Sequence, residues 1–519
     1  MSNRFREAIE GGEFVVTVEM IPGRGANEAS QQHEMETMRQ VYATGRVHAI
    51  SITDNPSGNP AIMADAIARE FESEGICALT HFTCKDRSRN QVQGQLYALQ
   101  RDGLENLLFM TGDCQTSGWK GTSRPNFDLD SVTIQMLAAD MNDGLVVQTR
   151  KGEMREEKAN FFAGGCVNPF KYRTGEIIPQ YLKAEKKIIA GAKFLITQLG
   201  YDSAKMKELQ TYLRGRGYDT PLIANIFLLT RGAAKLMQSG DIAGTYVSDE
   251  LMAKLEEEAK AEDKGRGARI ERAAQMIAIA KGMGYQGVHI GGFGLDADMV
   301  VKLLDRSEEL LDQWEGLAKE ISYGKPGGDF LFGDGWGEYS TAVPTENKGK
   351  RKLYKRYGLS RFFHHWVLTL DKRFCKTLAN VMDRRDRKKG IYRAHDIEHG
   401  GKAFLYGCID CGDCGLEAAI YSCPMAQCPK CQRNGPCGGS NDGWCEKYPG
   451  ERYCIWYKAY HRLDKYGEHY RMRSFITPPN NWEYWQTSAW SNYTHKRDNA
   501  ANRIPVKIGM DGNPGGKAD

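Results

Sequence analysis

The sequence contains no long apolar run and no strong excess of one charge. Its first residues lack the apolar core of a signal peptide, and no window has the length and apolarity of a membrane span. The 70 basic and 66 acidic residues leave a net charge of +4, which indicates no obligate polyanion partner such as nucleic acid. These absences favour a soluble, cytoplasmic protein, and the 519 residues predict two or more domains.

Cysteine is scarce over most of the chain and concentrated in one segment. Residues 408–454 hold nine of the 14 cysteines, and the segment opens Cys408-Ile-Asp-Cys411-Gly-Asp-Cys414 before continuing to Cys423-Pro. Three cysteines at this spacing followed by Cys-Pro are typical of chains that wrap a [4Fe–4S] cluster. The remaining five are enough for a second tetrathiolate site: Cys428, Cys431, Cys437, Cys445 and Cys454.

Disulfides and structural zinc are the two alternatives to iron–sulfur clusters in the cysteine segment. Disulfides are disfavoured because nothing in the sequence places the chain outside the cytosol. Structural zinc remains an alternative, since four thiolates also suit that ion. The triple close spacing and the Cys-Pro favour iron–sulfur over zinc.

Short apolar runs alternate with helical patterns from residue 14 to about residue 305. The predicted strands are Phe14–Glu19, Val47–Thr53, Cys77–Thr83, Asn106–Thr111, Asn160–Gly164, Phe194–Leu199, Pro221–Phe227 and Gly287–Gly291. Near-continuous apolar runs indicate strands covered on both faces. Eight such β/α units predict an α/β fold of the (β/α)8 TIM-barrel type. A doubly wound sheet is the alternative, but no G-x-G-x-x-G follows the first strand.

Two helix starts are predicted from local signals. Pro179 indicates a helix that begins there and runs over residues 180–192. Asp296 is expected to cap a helix in which four apolar residues share one face. Those four are Met299, Val300, Leu303 and Leu304.

Polar residues follow several of the predicted strands. In a barrel, the carboxyl ends of the strands carry the chemistry. Glu19 ends the first apolar strand, where an unpaired buried carboxylate would be costly, so a functional role is favoured. Asp113 follows a Thr-Gly turn and is equally consistent with turn chemistry. His81 alone would be a core histidine, but its place among the strand ends makes it a candidate.

Composition divides the chain into four regions. The prediction is a barrel over residues 1–318, a Gly- and Pro-rich linker over 319–350, a smaller cysteine-rich α+β domain over 351–480, and a tail over 481–519. A basic run at 348–356 suggests a solvated surface or a docking face for an acidic electron carrier. A nucleic-acid patch there is the weaker alternative.

The first 300 residues resemble the methylenetetrahydrofolate reductase family of flavin-containing TIM barrels. The resemblance rests on Glu19, on His81-Phe-Thr-Cys-Lys-Asp, on Gly112-Asp113 and on the run that ends at Gln198, each near a predicted strand end. The region from about 350 to 480 is similar to a cysteine-rich domain associated with a subset of these reductases. In acetogenic bacteria the similar domain is a separate subunit, whereas here the two parts are fused.

The resemblance implies roles for individual residues. Glu19 would be the general acid that protonates N10 of 5,10-methylenetetrahydrofolate. Asp113 would lie beside the pterin and the flavin, and Gln198 would hydrogen-bond the folate. The residues implied to line the flavin are Thr53, His81, Gly112, Asp113, Asn168 and Lys187. Departures from the family pattern at Thr111 and at residues 165–169 leave FAD and FMN both open.

The resemblance also implies a ligand set and a route for electrons. The first cluster would use Cys408, Cys411, Cys414 and Cys423, and the second Cys428, Cys437, Cys445 and Cys454, with Cys431 as the spare. We therefore expect a homo-oligomeric reductase that makes 5-methyltetrahydrofolate, with electrons from NAD(P)H or a ferredoxin-like carrier, directly or through a partner protein. One alternative keeps the reaction but has structural zinc and direct reduction of the flavin by NAD(P)H. The other is a non-catalytic barrel with a nucleic-acid-binding zinc module.

Overall fold

The structure is a computed structural model that describes residues 3–341, 353–354, 357–367, 376–377, 379–381 and 394–506. Most of the basic run 348–356, the end of the predicted linker and the last 13 residues of the tail (507–519) lie outside the described residues. None of the helices in these ranges combines the length and the apolar character that crossing a membrane requires.

Eight parallel strands close into a barrel, which confirms the predicted fold class. This part of the chain has ten strands, of which all but the fifth and sixth belong to the barrel. In chain order they are β1 (Val15–Met20), β2 (Ala49–Ile52), β3 (Ala78–Thr83), β4 (Asn106–Met110), β5 (Val146–Thr149), β6 (Gly152–Arg155), β7 (Phe162–Val167), β8 (Leu195–Thr197), β9 (Leu222–Phe227) and β10 (Gly287–Gly291). The barrel closes where β10 pairs with β1, and β5 and β6 form a separate exposed hairpin. All eight predicted strands exist, and the second and the fifth begin two residues later than expected.

Helices surround the barrel and follow it along the chain. They are α1 (Arg4–Glu10), α2 (Ala29–Ala43), α3 (Ala64–Ser73), α4 (Arg89–Arg101), α5 (Thr133–Asp143), α6 (Thr174–Ile189), α7 (Ser203–Gly215), α8 (Arg231–Gln238), α9 (Asp249–Glu258), α10 (Arg266–Met283), α11 (Ala297–Glu309) and α12 (Trp314–Glu320). Asp296 caps α11 by accepting a hydrogen bond from the backbone N–H of Met299 at 2.7 Å, as predicted.

The predicted start of α6 was wrong. The helix begins at Thr174, and Pro179 lies inside it. The carboxylate of Asp329 accepts hydrogen bonds from the backbone N–H and the hydroxyl of Thr174, at 2.8 and 3.2 Å. This contact, made from 155 residues further along the chain, supports the first helical turn ahead of the proline.

One end of the barrel is closed by α1. Phe5 is fully buried there and meets Phe162 and Phe194 edge to face, with ring centroids 6.1 and 5.2 Å apart. The aromatic contacts close the amino-terminal end of the strands. The opposite end, where the strands finish, is the one available for a site.

The region after the barrel is a smaller domain of short helices and two-stranded sheets. Its elements are α13 (Tyr357–Val367), α14 (Ala394–Tyr406), α15 (Pro424–Gln427), β11 (Trp444–Cys445), β12 (Tyr448–Tyr453), α16 (Ile455–Asp464), β13 (Phe475–Ile476), α17 (Ala489–Thr494) and β14 (Ile504–Pro505). The strands pair as β11 with β12 and β13 with β14. The cysteine segment therefore lies between α14 and α16, largely in loops.

The smaller domain packs directly on the barrel helix α6. Ile177 and Tyr181 of α6 share a hydrophobic core with Ile455 and Trp456 of α16. A side chain at Gly175 would come within 2.8 Å of the Tyr457 ring, so the glycine allows this close approach. The described part of the predicted linker is also packed, with Leu331 and Phe332 buried. The predicted domain boundaries themselves stay a prediction.

Candidate functional site

Glu19 lies near the end of β1 and shares the inward face of that strand with Val15 and Thr17. Its Oε1 accepts a hydrogen bond from the hydroxyl of Thr53 at 3.0 Å. Burial raises the pKa of Glu19, and the hydrogen bond from Thr53 offsets only part of that rise. A carboxyl group with a raised pKa keeps a larger protonated fraction near neutral pH, which suits a proton donor.

A glycine on the neighbouring strand makes room for this carboxyl group. A Cβ atom at Gly291 would lie 2.6 Å from Oε2 of Glu19. Any larger residue at the end of β10 would therefore displace the carboxyl group. No local pattern in the sequence indicates this requirement.

Two histidines lie in the barrel interior, with their ring centroids 6.0 Å apart. His81 pairs with the hydroxyl of Ser51 at 2.7 Å, and His289 pairs with that of Thr17 at 2.9 Å. Burial lowers the pKa of His81 to about 4 and that of His289 to about 3, so both rings are neutral at physiological pH. Nδ1 of His81 has no hydrogen-bond partner among the described residues, and neither has Oδ1 of Asn225. The interior thus has unused hydrogen-bonding capacity.

Asp54, which follows β2, has a structural role. It accepts hydrogen bonds from the backbone N–H and hydroxyl of Thr83, each at 2.9 Å, and from Arg87 at 2.8 Å. Burial alone would raise its pKa, but the guanidinium of Arg87 and these hydrogen bonds bring the pKa below its ordinary value. Asp54 is a paired anion that ties the ends of β2 and β3 together.

The Gly112-Asp113 turn follows β4. Gly112 has a φ of +81°, and a Cβ atom there would lie 2.9 Å from Cβ of Thr83, so the turn requires glycine. The carboxylate of Asp113 is half exposed, and its Oδ1 lies 3.2 Å from Nζ of Lys430, a residue of the cysteine segment. Lys430 also pairs with Glu446. The sequence gives no local signal for this lysine, because Lys430 and Asp113 lie 317 residues apart in the chain.

Three other predicted residues use their polar groups within the protein. Gln198 accepts a hydrogen bond from the backbone N–H of Leu199 at 2.9 Å. Asn168 donates to the carbonyl groups of Gly244 and Gly438, and the ammonium group of Lys187 donates to the carbonyl of Cys166. The structure brings Glu19, Thr53 and His81 to the interior of the barrel, whereas Asn168 contacts the loops at Gly244 and Gly438.

The first four predicted cysteine ligands lie together. Cys408, Cys411 and Cys414 line one small cavity. Burial is the main cause that raises the pKa of Cys411, and the neighbouring thiols of Cys414 and Cys423 raise it further. Cys423 therefore belongs to the same group. The backbone N–H of Asp410 donates to Sγ of Cys408 at 3.4 Å.

The other four predicted ligands line a second cavity. These are Cys428, Cys437, Cys445 and Cys454. Cys431 is not among the lining residues, and burial raises its pKa to about 11. Across the described ranges, no group of three or more His, Cys, Asp or Glu side chains has the geometry to hold a metal ion. Binding of clusters by the two sets stays a prediction.

The second cysteine set lies against the open end of the barrel. Gln432 accepts hydrogen bonds from Nζ of Lys183 on α6 at 2.7 Å and from the hydroxyl of Thr111 after β4 at 3.1 Å. Asn168, after β7, donates to Gly438 at 3.0 Å. Because three barrel elements bind one segment, the cysteine loop is fixed beside the strand ends that carry the candidate residues.

Two family models match the chain. A model described as methylenetetrahydrofolate reductase matches residues 4–304, and one described as methylene-tetrahydrofolate reductase C terminal matches residues 392–483. Among curated relatives, methylenetetrahydrofolate reductase (NADH) 1 of Arabidopsis thaliana is 22% identical over 331 residues, which cover 63% of this chain and 54% of that protein. Methylenetetrahydrofolate reductase 2 of Saccharomyces cerevisiae is 24% identical over 213 residues, covering 40% of this chain and 33% of that protein.

The chain thus spans about half the length of the plant relative and a third of the yeast one. Among solved structures, an uncharacterized protein from Clostridium thermocellum that binds two copies of 5-methyl-5,6,7,8-tetrahydrofolic acid aligns with a TM-score of 0.41 and 12% identity. The alignment covers 60% of this chain and 99% of that one.

Proposed function

Since the chain belongs to the methylenetetrahydrofolate reductase family, we propose that it reduces 5,10-methylenetetrahydrofolate to 5-methyltetrahydrofolate. The observation that carries the proposal is the position of Glu19. An acid with a raised pKa lies at the open end of a barrel whose sequence matches this family. That is the chemical group the reaction needs first.

The first step is the opening of the five-membered ring of the substrate. N10 must gain a proton before the ring opens to an iminium, and a neutral carboxylic acid is a suitable donor. Glu19 would supply this proton, and Thr53 would hold the carboxyl group through its hydrogen bond at 3.0 Å. Asp113 and Gln198 would bind the pterin. A bound flavin supplies the hydride that converts the iminium into a methyl group.

Two unpaired polar atoms inside the barrel support the proposal of a bound planar, polar cofactor. Nδ1 of His81 and Oδ1 of Asn225 are buried without a partner among the described residues, and a bound ring could satisfy them. Thr53, His81, Gly112 and Asp113 are the residues proposed to hold it. Asn168 and Lys187 would contribute only by exchanging some of their present protein partners.

We further propose that the two cysteine sets hold [4Fe–4S] clusters that pass electrons to the barrel. Each set offers four thiols, the donor set that such clusters use. The location of the second set supports the proposal. Lys430, which lies between Cys428 and Cys437 in the sequence, forms an ion pair with Asp113 of the barrel. NAD(P)H or a ferredoxin-like carrier would be the donor.

Metal and flavin analysis of anaerobically purified full-length protein tests the proposal. The expected result is a brown protein with flavin and about eight irons per chain, as two four-iron clusters require. Added 5,10-methylenetetrahydrofolate should reoxidise the dithionite-reduced protein and yield 5-methyltetrahydrofolate. A yellow protein with zinc and no iron would contradict the proposed electron path through clusters, but the proposed reductase activity would stand. A colourless protein that converts no folate would contradict the reductase itself.

A further inference from the structure

One lysine of the cysteine-rich domain reaches into the barrel site. The Lys430 side chain is 3% exposed, and its Nζ lies 3.2 Å from Oδ1 of Asp113. Its second partner is Glu446, whose Oε2 lies 3.6 Å from Sγ of Cys437. The ammonium group therefore stands between a carboxylate of the barrel and a carboxylate of the second cysteine set.

The backbone around Lys430 is fixed on both sides. Pro429 precedes it, and the N–H of Cys431 donates to the carbonyl of Cys428 at 3.1 Å, which closes a turn. The side chain of Gln432 donates to the carbonyl of Lys430 at 2.7 Å. Gln432 is itself bound by Lys183 of the barrel helix α6. The position of the lysine thus follows from the way the two domains contact each other.

We propose that Lys430 is a positioning residue through which the cysteine-rich domain completes the folate site, by fixing the carboxylate of Asp113 toward the substrate. The inference rests on the proposed function, in which Asp113 binds the pterin. An ion pair between two mobile surface groups contributes little. Here the cation is buried and its backbone is held, so little side-chain entropy remains to be lost when Asp113 is bound. The substrate site would then be incomplete without the second domain.

Direct binding of 5-methyltetrahydrofolate to the full-length, anaerobically purified protein tests this role without turnover. Isothermal titration calorimetry should give a dissociation constant about tenfold higher for Lys430→Gln than for the parent. Lys430→Arg keeps the positive charge and should restore binding to within about twofold. In a cycle with Asp113→Asn, the double variant should bind no more weakly than the weaker single variant, because both substitutions remove the same interaction.

A charge-matched control separates positioning from general damage. Lys447→Gln removes the same charge from an exposed lysine in the same loop, so it should bind folate like the parent. Thermal unfolding midpoints and metal content are measured for every variant. A loss of binding shared by Lys447→Gln, or one that comes with a lower unfolding midpoint or metal content in Lys430→Gln, would indicate general damage and overturn the proposal.

The remaining outcomes are also decisive. If the parent binds 5-methyltetrahydrofolate and Lys430→Gln binds it equally well, the positioning role is wrong while the proposed function stands. Additive losses in the cycle with Asp113→Asn would likewise show that the two residues act separately. If the parent binds no 5-methyltetrahydrofolate, the proposed substrate fails and the role of Lys430 fails with it.

Discussion

Asn434 of the cysteine segment donates its backbone N–H and its side-chain amide to the same oxygen of Asp130, at 3.0 and 3.1 Å. The other oxygen of Asp130 accepts from the backbone N–H groups of Val132 and Thr133 at the start of α5, each at 3.0 Å. Burial alone would raise the pKa of Asp130, but Lys183 and these N–H groups bring the pKa below its ordinary value. One buried anion therefore joins a barrel helix to the second domain.

Replacing Asn434 with alanine should destabilise the whole protein. The side chain also exchanges hydrogen bonds with the backbone of Thr477, at 2.7 and 2.9 Å, so its removal leaves several buried polar groups unpaired. We expect a loss of about 2–3 kcal/mol in the free energy of unfolding, measured by chemical denaturation. Asn441→Ala, at an exposed position nearby, is the control and should change little. Equal stability of the two variants would contradict the importance of this contact.

Glu19→Gln should abolish folate reduction while leaving the transfer of electrons from the donor to the flavin intact. The amide cannot give N10 a proton, so we expect the folate half-reaction to slow by about 10²–10⁴-fold. Stopped-flow spectroscopy follows the two half-reactions separately. Parental rates of flavin reoxidation by methylenetetrahydrofolate would show that Glu19 is not the acid.

The same variant has an effect on stability that does not depend on catalysis. Because burial raises the folded-state pKa of Glu19, the protonated group favours folding, and this contribution is lost as pH rises through the folded pKa. Glutamine does not titrate, so the unfolding temperature of Glu19→Gln relative to the parent should increase from pH 4 toward neutrality. A difference in unfolding temperature that does not change with pH would indicate that burial does not raise the pKa of Glu19 in the folded protein.

Thr53→Val tests the hydrogen bond to Glu19. The bond lowers the pKa of Glu19, so its removal should raise that pKa further. The protonated acid would then persist to higher pH. The rate of the folate half-reaction, measured against pH, should therefore fall at a higher pH in Thr53→Val than in the parent. A shift in the opposite direction would contradict the arrangement.

The way the cysteines are grouped predicts which substitutions lower the iron content and which do not. Cys431 does not line the second cavity, so Cys431→Ser should keep the parental iron content. Cys437→Ser removes one member of the second set and should lose about four of the expected eight irons. Iron analysis of the anaerobic proteins measures both. Loss of iron from Cys431→Ser alone would mean that the ligand set has been assigned wrongly.

The sequence was sufficient to predict the barrel because its signals are local. Each parallel strand is buried on both faces and appears as a continuous apolar run, and Glu19 could be recognised because a carboxylate at the end of such a run is unusual. The helix cap at Asp296 was predictable for the same reason. Regular periodicity and chain order are enough to place these residues at the open end of a barrel.

What escaped prediction depends on contacts between distant parts of the chain. Helix α6 begins ahead of Pro179 because Asp329 supports its first turn, and no property of residues 174–179 indicates that partner. The pairing of Lys430 with Asp113 likewise requires knowledge of how the two domains meet. The exposed hairpin of β5 and β6 was missed because its strands bury little apolar surface.

The packing of α6 has a consequence for the order in which the chain folds during synthesis. From Thr174 to Lys187 every residue of this barrel helix is buried, partly by α16, which ends at Asp464. The ribosome completes α6 about 275 residues before α16 is complete, and amino-terminal domains generally fold first. Until the second domain arrives, α6 therefore lacks the cover that the Tyr457 ring provides over Gly175 and the hydrogen bond that Gln432 accepts from Lys183.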